Sequence, residues 1–178
     1  LVTFAALILG MGLPVTAAYI VLAVMTGPAL QELGLTLITA HMIIFWLSQT
    51  SNVTPPIALA AFAGAGIAGA SPMRSAIQAF KLSAGLFIIP LMMAYSPLLL
   101  VDESTWMEVL AAGFVTLTLV VLLAMTVERY LFAPVGTAAA VAAAVVCASL
   151  IYPDLTTRSI ACLVGLGLIA QNYFSKTK

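Results

Sequence analysis

Charge is what this sequence has least of. Of 178 residues only 7% are Asp, Glu, Lys or Arg, six acidic against six basic, whereas 63% are apolar and the mean hydropathy is +1.20. A soluble domain carries about 25% charged residues. So little polar surface excludes an ordinary water-soluble enzyme and a disordered tail, and the lack of a basic excess excludes a nucleic-acid partner. Cysteine is scarce too: Cys147 and Cys162 lie inside apolar runs, so each is expected to be a buried thiol, not half of a disulfide or a metal ligand. His41 is the single histidine, and there is no His-Glu-x-x-His, no aspartate pair and no Gly-x-Ser-x-Gly, which leaves an intramembrane hydrolase without machinery. The first residue is Leu1, with no initiator Met and no basic flank, so the chain reads as a piece of a longer one.

What is abundant is long apolar sequence. A helix crossing lipid needs ~20 apolar residues. On that ruler the apolar stretches are Leu1 to Leu33, Leu35 to Ala70, Ala76 to Val101, Trp106 to Val127, Pro134 to Tyr152 and Ser159 to Phe174. They predict an all-α, polytopic membrane protein. The charges fall between them in alternating sets. Arg74, Lys81, Glu128, Arg129, Lys176 and Lys178 fall on one side, and Asp102, Glu103, Glu108, Asp154 and Arg158 on the other. The positive-inside rule makes the first side cytoplasmic. Lys81 is expected to snorkel to the interface from near its helix end, and Trp106, Tyr130 and Tyr152 to anchor segment ends at the headgroup level.

Two of the apolar runs are interrupted. The first interruption reads Gly10, Met11, Gly12, Leu13, Pro14, Val15, Thr16. Glycine admits left-handed backbone and Pro14 lacks the donor of a continuous helix. Unbroken, Leu1 to Leu33 would be ~50 Å long against a hydrocarbon core of ~30 Å. A re-entrant hairpin removes the mismatch, with Gly10 to Pro14 as its tip and Val15 to Leu30 as its returning arm. A loop at the water interface would serve equally.

The second interruption is richer: Ser48, Gln49, Thr50, Ser51, Asn52, Val53, Thr54, Pro55, Pro56. Residues 35 to 70 would otherwise form a helix of ~54 Å. Pro55 and Pro56 remove two donors and push the residue before each out of the helical region. Backbone carbonyls from Thr50 to Val53, with the side chains of Ser51, Asn52 and Thr54, then gather several neutral oxygens. Lipid tolerates such backbone only where protein covers it or a polar cavity receives it. A site of neutral oxygens suits a weakly held monovalent cation better than Mg²⁺ or Zn²⁺, and sodium at Ser51, Asn52 and Thr54 is the natural candidate. The half-helix starting near Pro56 would turn its positive end toward the break and attract an anionic substrate group. The competing picture is an exposed turn between two short spans. Paired interruptions of this kind point to a secondary transporter, with a discontinuous helix and ligands near the midplane.

These same residues resemble a known family. Gly10-Met11-Gly12-Leu13-Pro14-Val15-Thr16-Ala17-Ala18-Tyr19, Ala40-His41, Ser51-Asn52-Val53-Thr54-Pro55-Pro56-Ile57-Ala58-Leu59-Ala60 and Ala65-Gly66-Ile67-Ala68-Gly69-Ala70 resemble the large membrane subunit of TRAP (tripartite ATP-independent periplasmic) transporters. The likeness is nearest to the fused permeases that work with a TAXI-type binding protein. Phe80-Lys81-Leu82, Tyr95-Ser96-Pro97-Leu98-Leu99-Leu100 and Glu128-Arg129-Tyr130-Leu131 fit the C-terminal end of those fused chains. The resemblance implies a sodium-coupled importer of organic anions in the bacterial inner membrane. Such an importer works by an elevator movement and is supplied by a periplasmic TAXI-type binding protein. Sodium would be its coupling ion, with no resident cofactor. It further implies that Gly10, Gly12, Pro14, Thr16, Ser51, Asn52, Thr54, Pro55 and Pro56 belong to the ion and substrate region, and that an N-terminal remainder of the permease supplies the other half-site.

On this reading residues 1–100 form the second-repeat transport region and residues 101–178 are C-terminal scaffold helices. The rival class is a non-transporting assembly subunit built for helix packing; the small-residue stretches Ala58 to Ala70 and Gly136 to Ala148 would serve it. Two polar breaks at depth have no use in pure packing. His41 is expected to make a helix-packing hydrogen bond before it relays protons, and Gln49 and Tyr19 are candidates for either cavity or packing.

Overall fold

The computed structural model describes residues 8–10, 12–99 and 104–175, and among these the regular structure is all helix. The helices are α1 (Val15–Glu32), α2 (Leu37–Thr50), α3 (Leu59–Ala68), α4 (Pro72–Leu82), α5 (Ala84–Tyr95), α6 (Trp106–Glu128), α7 (Thr137–Ile151) and α8 (Leu155–Ser175). Among the described residues three helical stretches are long and apolar enough to cross a membrane: α1, the α4–α5 run Pro72–Tyr95, and α6. With the apolar composition they make the chain a multi-pass membrane protein. Its residues gather into two compact units, up to Pro90 and from Leu91 onward.

In the first unit α1 and α2 form an antiparallel pair. Ala18, Leu22 and Leu30 of α1 and Ala40, Ile44 and Leu47 of α2 are buried. Gly27 faces Ile44 across the pair, where a Cβ would make an ordinary contact 3.9 Å from the Ile44 methyl. This is membrane helix packing in its usual form, with a small residue opposite a large one. A polar link crosses the pair: the Tyr19 hydroxyl is hydrogen-bonded to His41 Nδ1 at 2.8 Å, and Tyr19 also meets Phe45 edge-on. Gly34, at φ 90, turns the chain between the helices, and Thr36 caps α2 by accepting from the Thr39 amide.

The run expected from Ala76 to Val101 differs in detail. It starts earlier, at Pro72 on the first helical turn where a missing N–H costs nothing, and it is divided at Ser83 into α4 and α5. Arg74, Gln78 and Lys81 recur at helical spacing along α4, whereas α5 carries no charged residue. Apolar length alone did not register that polar stripe. Lys81 is exposed beside the C-terminus of α4.

In the second unit α6, α7 and α8 pack together around Leu119, Leu122, Met125, Ala143, Val146 and Leu150. Thr105 and Glu108 close a reciprocal capping box at the start of α6, which satisfies two backbone donors of the first turn. α8 begins a turn before the expected Ser159, because Asp154 accepts from the Thr157 amide at 2.8 Å and hydroxyl at 2.7 Å. Those two bonds hold the Asp154 carboxyl below the ordinary aspartate range. The cysteines are free and buried. The turn between α6 and α7 is held from α8: Asn172 Oδ1 accepts from the amides of Phe132 and Ala133, and its Nδ2 donates to the Ala133 carbonyl.

Several expectations fall outside the described residues. They are the hairpin arm before Ile8, Met11 at the tip, and Asp102, Glu103, Lys176 and Lys178 in the charge assignment.

Candidate functional site

The second interruption is a helix break of eight residues. α2 stops at Thr50, α3 starts at Leu59, and residues 51–58 between them form turns. Proline accounts for the stop, since neither Pro55 nor Pro56 can continue the ladder; the bond between them is cis. The restart is made by Ala58, fully buried at φ 36 and ψ 51. Left-handed backbone at a residue with a Cβ holds roughly 1–3 kcal/mol of strain and persists only where its surroundings enforce it. Here the Ala58 amide donates to the Thr54 carbonyl, and the Ala60 amide reaches back to the Asn52 carbonyl at 3.1 Å.

The hydroxyls of the break share one arrangement. Ser48 donates to the Phe45 carbonyl, Thr50 to Leu47, Ser51 to Ser48 and Thr54 to Thr50, at 2.6–3.0 Å. Each proton is thereby committed to backbone three or four residues earlier, so what each oxygen offers outward is lone pairs alone. A set of such oxygens can accept from a donor or ligate a hard cation. It is ill suited to nucleophilic attack, which needs a base to take the hydroxyl proton.

Not every carbonyl expected to be free is free. Thr50 O accepts from the Val53 amide and the Thr54 hydroxyl, and Asn52 O from Ala60. Ser51 O and Val53 O accept no hydrogen bond among the described residues. The Asn52 side-chain amide is half-buried and likewise makes no hydrogen bond among them. Ser48, Thr50 and Ser51 are buried, residues 52–55 are half-buried, and Pro56 is exposed. Lipid would not accept these groups uncovered, whereas a polar cavity would.

The first interruption folds against the second. A Cβ on Gly10 would lie 3.5 Å from Ser51 Cβ, 3.6 Å from Ser51 Oγ and 3.8 Å from Ala18 Cβ. Gly12 has φ 78, the left-handed region, and its missing Cβ would meet the Ile57 methyl at 3.5 Å. The Leu13 amide donates to Gly10 O at 3.3 Å, closing the turn, and Pro14 stands at the N-cap of α1. The tip glycines therefore sit on both ends of the 51–57 segment.

Of the residues expected at the site, Gly10, Gly12, Ser51, Asn52, Thr54 and Pro55 come together in this cluster. Pro14 and Thr16 lie exposed where α1 starts, and Pro56 is exposed beside Ile57. Ile57 and Ala58 belong to the cluster and were not expected there. An apolar side chain against a glycine and a left-handed alanine carry no signal in composition or spacing. His41 and Tyr19 are occupied with each other between α1 and α2.

No curated protein and no solved structure matches this chain. A family model does: residues 1–107 match the tripartite ATP-independent periplasmic transporter, DctM component. The match covers well over half of the sequence and includes both interruptions. On that ground the chain belongs to the DctM family, a family of transporter components rather than of enzymes.

Proposed function

We propose that the chain forms part of a sodium-coupled permease that imports an organic anion across the bacterial inner membrane, the anion being handed over by a periplasmic TAXI-type binding protein. The observation that carries this reading is the contact of Gly10 with Ser51, which folds a glycine-rich turn against a break whose oxygens keep their lone pairs. Sodium would be held by neutral oxygens of Ser51, Asn52 and Thr54 with the Ser51 and Val53 carbonyls. Each is a hard ligand without a full charge, which gives binding weak enough for release.

The break also lies between two helix ends. The C-terminal end of α2 carries partial negative charge and the N-terminal end of α3 partial positive charge, so one favours the cation and the other the anionic group of the substrate. Coupling follows if both ligands bind one element that moves as a body. In this proposal the first compact unit, which carries both interruptions, is that moving element, operating as an elevator, and the second unit is static scaffold.

The test is uptake by the complete permease in vesicles, with and without an inward sodium gradient and with and without the binding protein. Accumulation that needs both supports the reading; accumulation indifferent to sodium rejects the coupling.

A further inference from the structure

The second unit holds a cavity of about 520 Å³ between Pro97 and the first halves of α6 and α8. That volume lies in the range of built ligand sites, ~300–1,000 Å³. Most of its lining is apolar, including Ala111 and Val115 on α6 and Leu163 and Leu166 on α8, and the cavity is open at the exposed Ala111 and Leu163. Two opposite charges line it, Glu108 on the first turn of α6 and Arg158 on the first turn of α8.

Both charges are fixed in place. Glu108 Oε2 accepts from the Thr105 amide at 2.9 Å within the capping box, and among the described residues Oε1 has no partner. Arg158 donates through Nε to the Tyr152 carbonyl at 2.9 Å and through Nη2 to the carbonyls of Tyr95 and Ile151, and among the described residues Nη1 has no partner. Glu108 and Arg158 form no ion pair with each other among the described residues, although they line the same cavity. Two preorganised and separated charges lining a mostly apolar slot complement a molecule that carries both signs and a hydrocarbon tail.

We propose that this cavity binds a zwitterionic phospholipid with a primary ammonium headgroup, of the phosphatidylethanolamine type. The ammonium donates to the Glu108 carboxylate, the phosphate accepts from Arg158 Nη1, and an acyl chain lies along Ala111, Val115, Leu163 and Leu166. A trimethylammonium headgroup has no N–H to donate and an anionic glycerol headgroup brings no cation, so both bind less well. The site lies mostly beyond the residues matched to the transporter family, and the proposal does not depend on sodium coupling.

The complete permease in nanodiscs of equal phosphatidylethanolamine, phosphatidylcholine and phosphatidylglycerol, stripped stepwise and weighed by native mass spectrometry, tests it. One phosphatidylethanolamine should be retained per chain, about tenfold over either competitor, the size of one charge-assisted hydrogen bond. Glu108→Gln should erase the preference over phosphatidylglycerol. Arg158 ties helix ends, so its loss could unfold the unit; Ala111→Trp, at an exposed position on the apolar wall, fills the slot instead and should release the lipid. Equal retention of the three lipids by the unaltered chain, or an unchanged preference in Glu108→Gln, overturns the proposal. So does a photo-crosslinker at position 111 that captures protein and not lipid, because a packed helix would then be the occupant.

Discussion

Gly10 and Ser51 stand so close that a methyl group on the glycine would come within 3.5 Å of the serine Cβ, yet they belong to two different interruptions of the apolar sequence. That distance is ordinary van der Waals contact, so the fit is tight without strain. Alanine at position 10 should be tolerated, and uptake by the complete permease should stay within about twofold. Valine adds carbons beyond the Cβ and overlaps Ser51, an overpacking cost of ~1–3 kcal/mol, and uptake should fall at least about tenfold.

Position 12 separates backbone from space. With φ at 78 it forces any L residue into left-handed backbone at roughly 1–2 kcal/mol. Gly12→Ala should therefore impair uptake more than Gly10→Ala does, and equal activity of the two variants would remove backbone conformation as the reason for this glycine.

Sodium should report on the oxygens of the break. Thr54→Ser keeps the hydroxyl that donates to Thr50 O and should leave the sodium dependence of uptake nearly unchanged, whereas Thr54→Val and Asn52→Ala should each raise the sodium half-saturation by about tenfold, near 1.4 kcal/mol. A sodium curve that stays put in both variants rejects these side chains as ligands.

The Tyr19 to His41 bond should matter for stability more than for transport. Interhelical hydrogen bonds in membrane proteins average about 0.6 kcal/mol, with a maximum of about 1.7. Tyr19→Phe should lower the melting temperature of the detergent-solubilised permease by a few degrees while sodium-driven uptake is retained. Loss of uptake at unchanged stability would give this pair a role beyond packing.

Asp154 supplies a pH signature outside the lipid. Its carboxyl is held low by the Thr157 amide and hydroxyl, so it is more acidic folded than unfolded. The stabilisation is present above the ordinary aspartate value of about 3.9 and is lost as pH falls through the lower folded value. Asp154→Ala should melt below the unaltered chain at pH 7, and the gap should close as pH drops below about 4; a constant gap would assign the effect to something other than the charge.

Much of this was legible in sequence because lipid imposes simple rules. Apolar length gave α1, α2, α6 and α7 to within a few residues, and the prolines at 55 and 56 marked the break where α2 stops. What escaped notice was whatever depends on local hydrogen bonds or on packing between distant segments. The early start of α8 is the work of Asp154, whose capping role is invisible to a hydropathy ruler. The division at Ser83 lies inside a run that stays apolar on average. At the site the polar residues announced themselves, but Ile57 and Ala58 could not, because their part is to fit a glycine and to bend a backbone. Nor could sequence say which carbonyls would be consumed: Thr50 and Asn52 are occupied by groups that only the folded turn brings near.

The Asn172 side chain has a consequence for the order in which the chain is made. It is the partner of three backbone groups in the turn after α6, yet the ribosome adds it some forty residues after Phe132 and Ala133. Until α8 emerges, the α6–α7 hairpin must be inserted with that turn unlatched, its amides served by water or by the insertion machinery. Only a carboxamide of this length both gives and takes at the required places. Leucine at 172 would therefore leave a nascent hairpin that enters the membrane normally and then never locks.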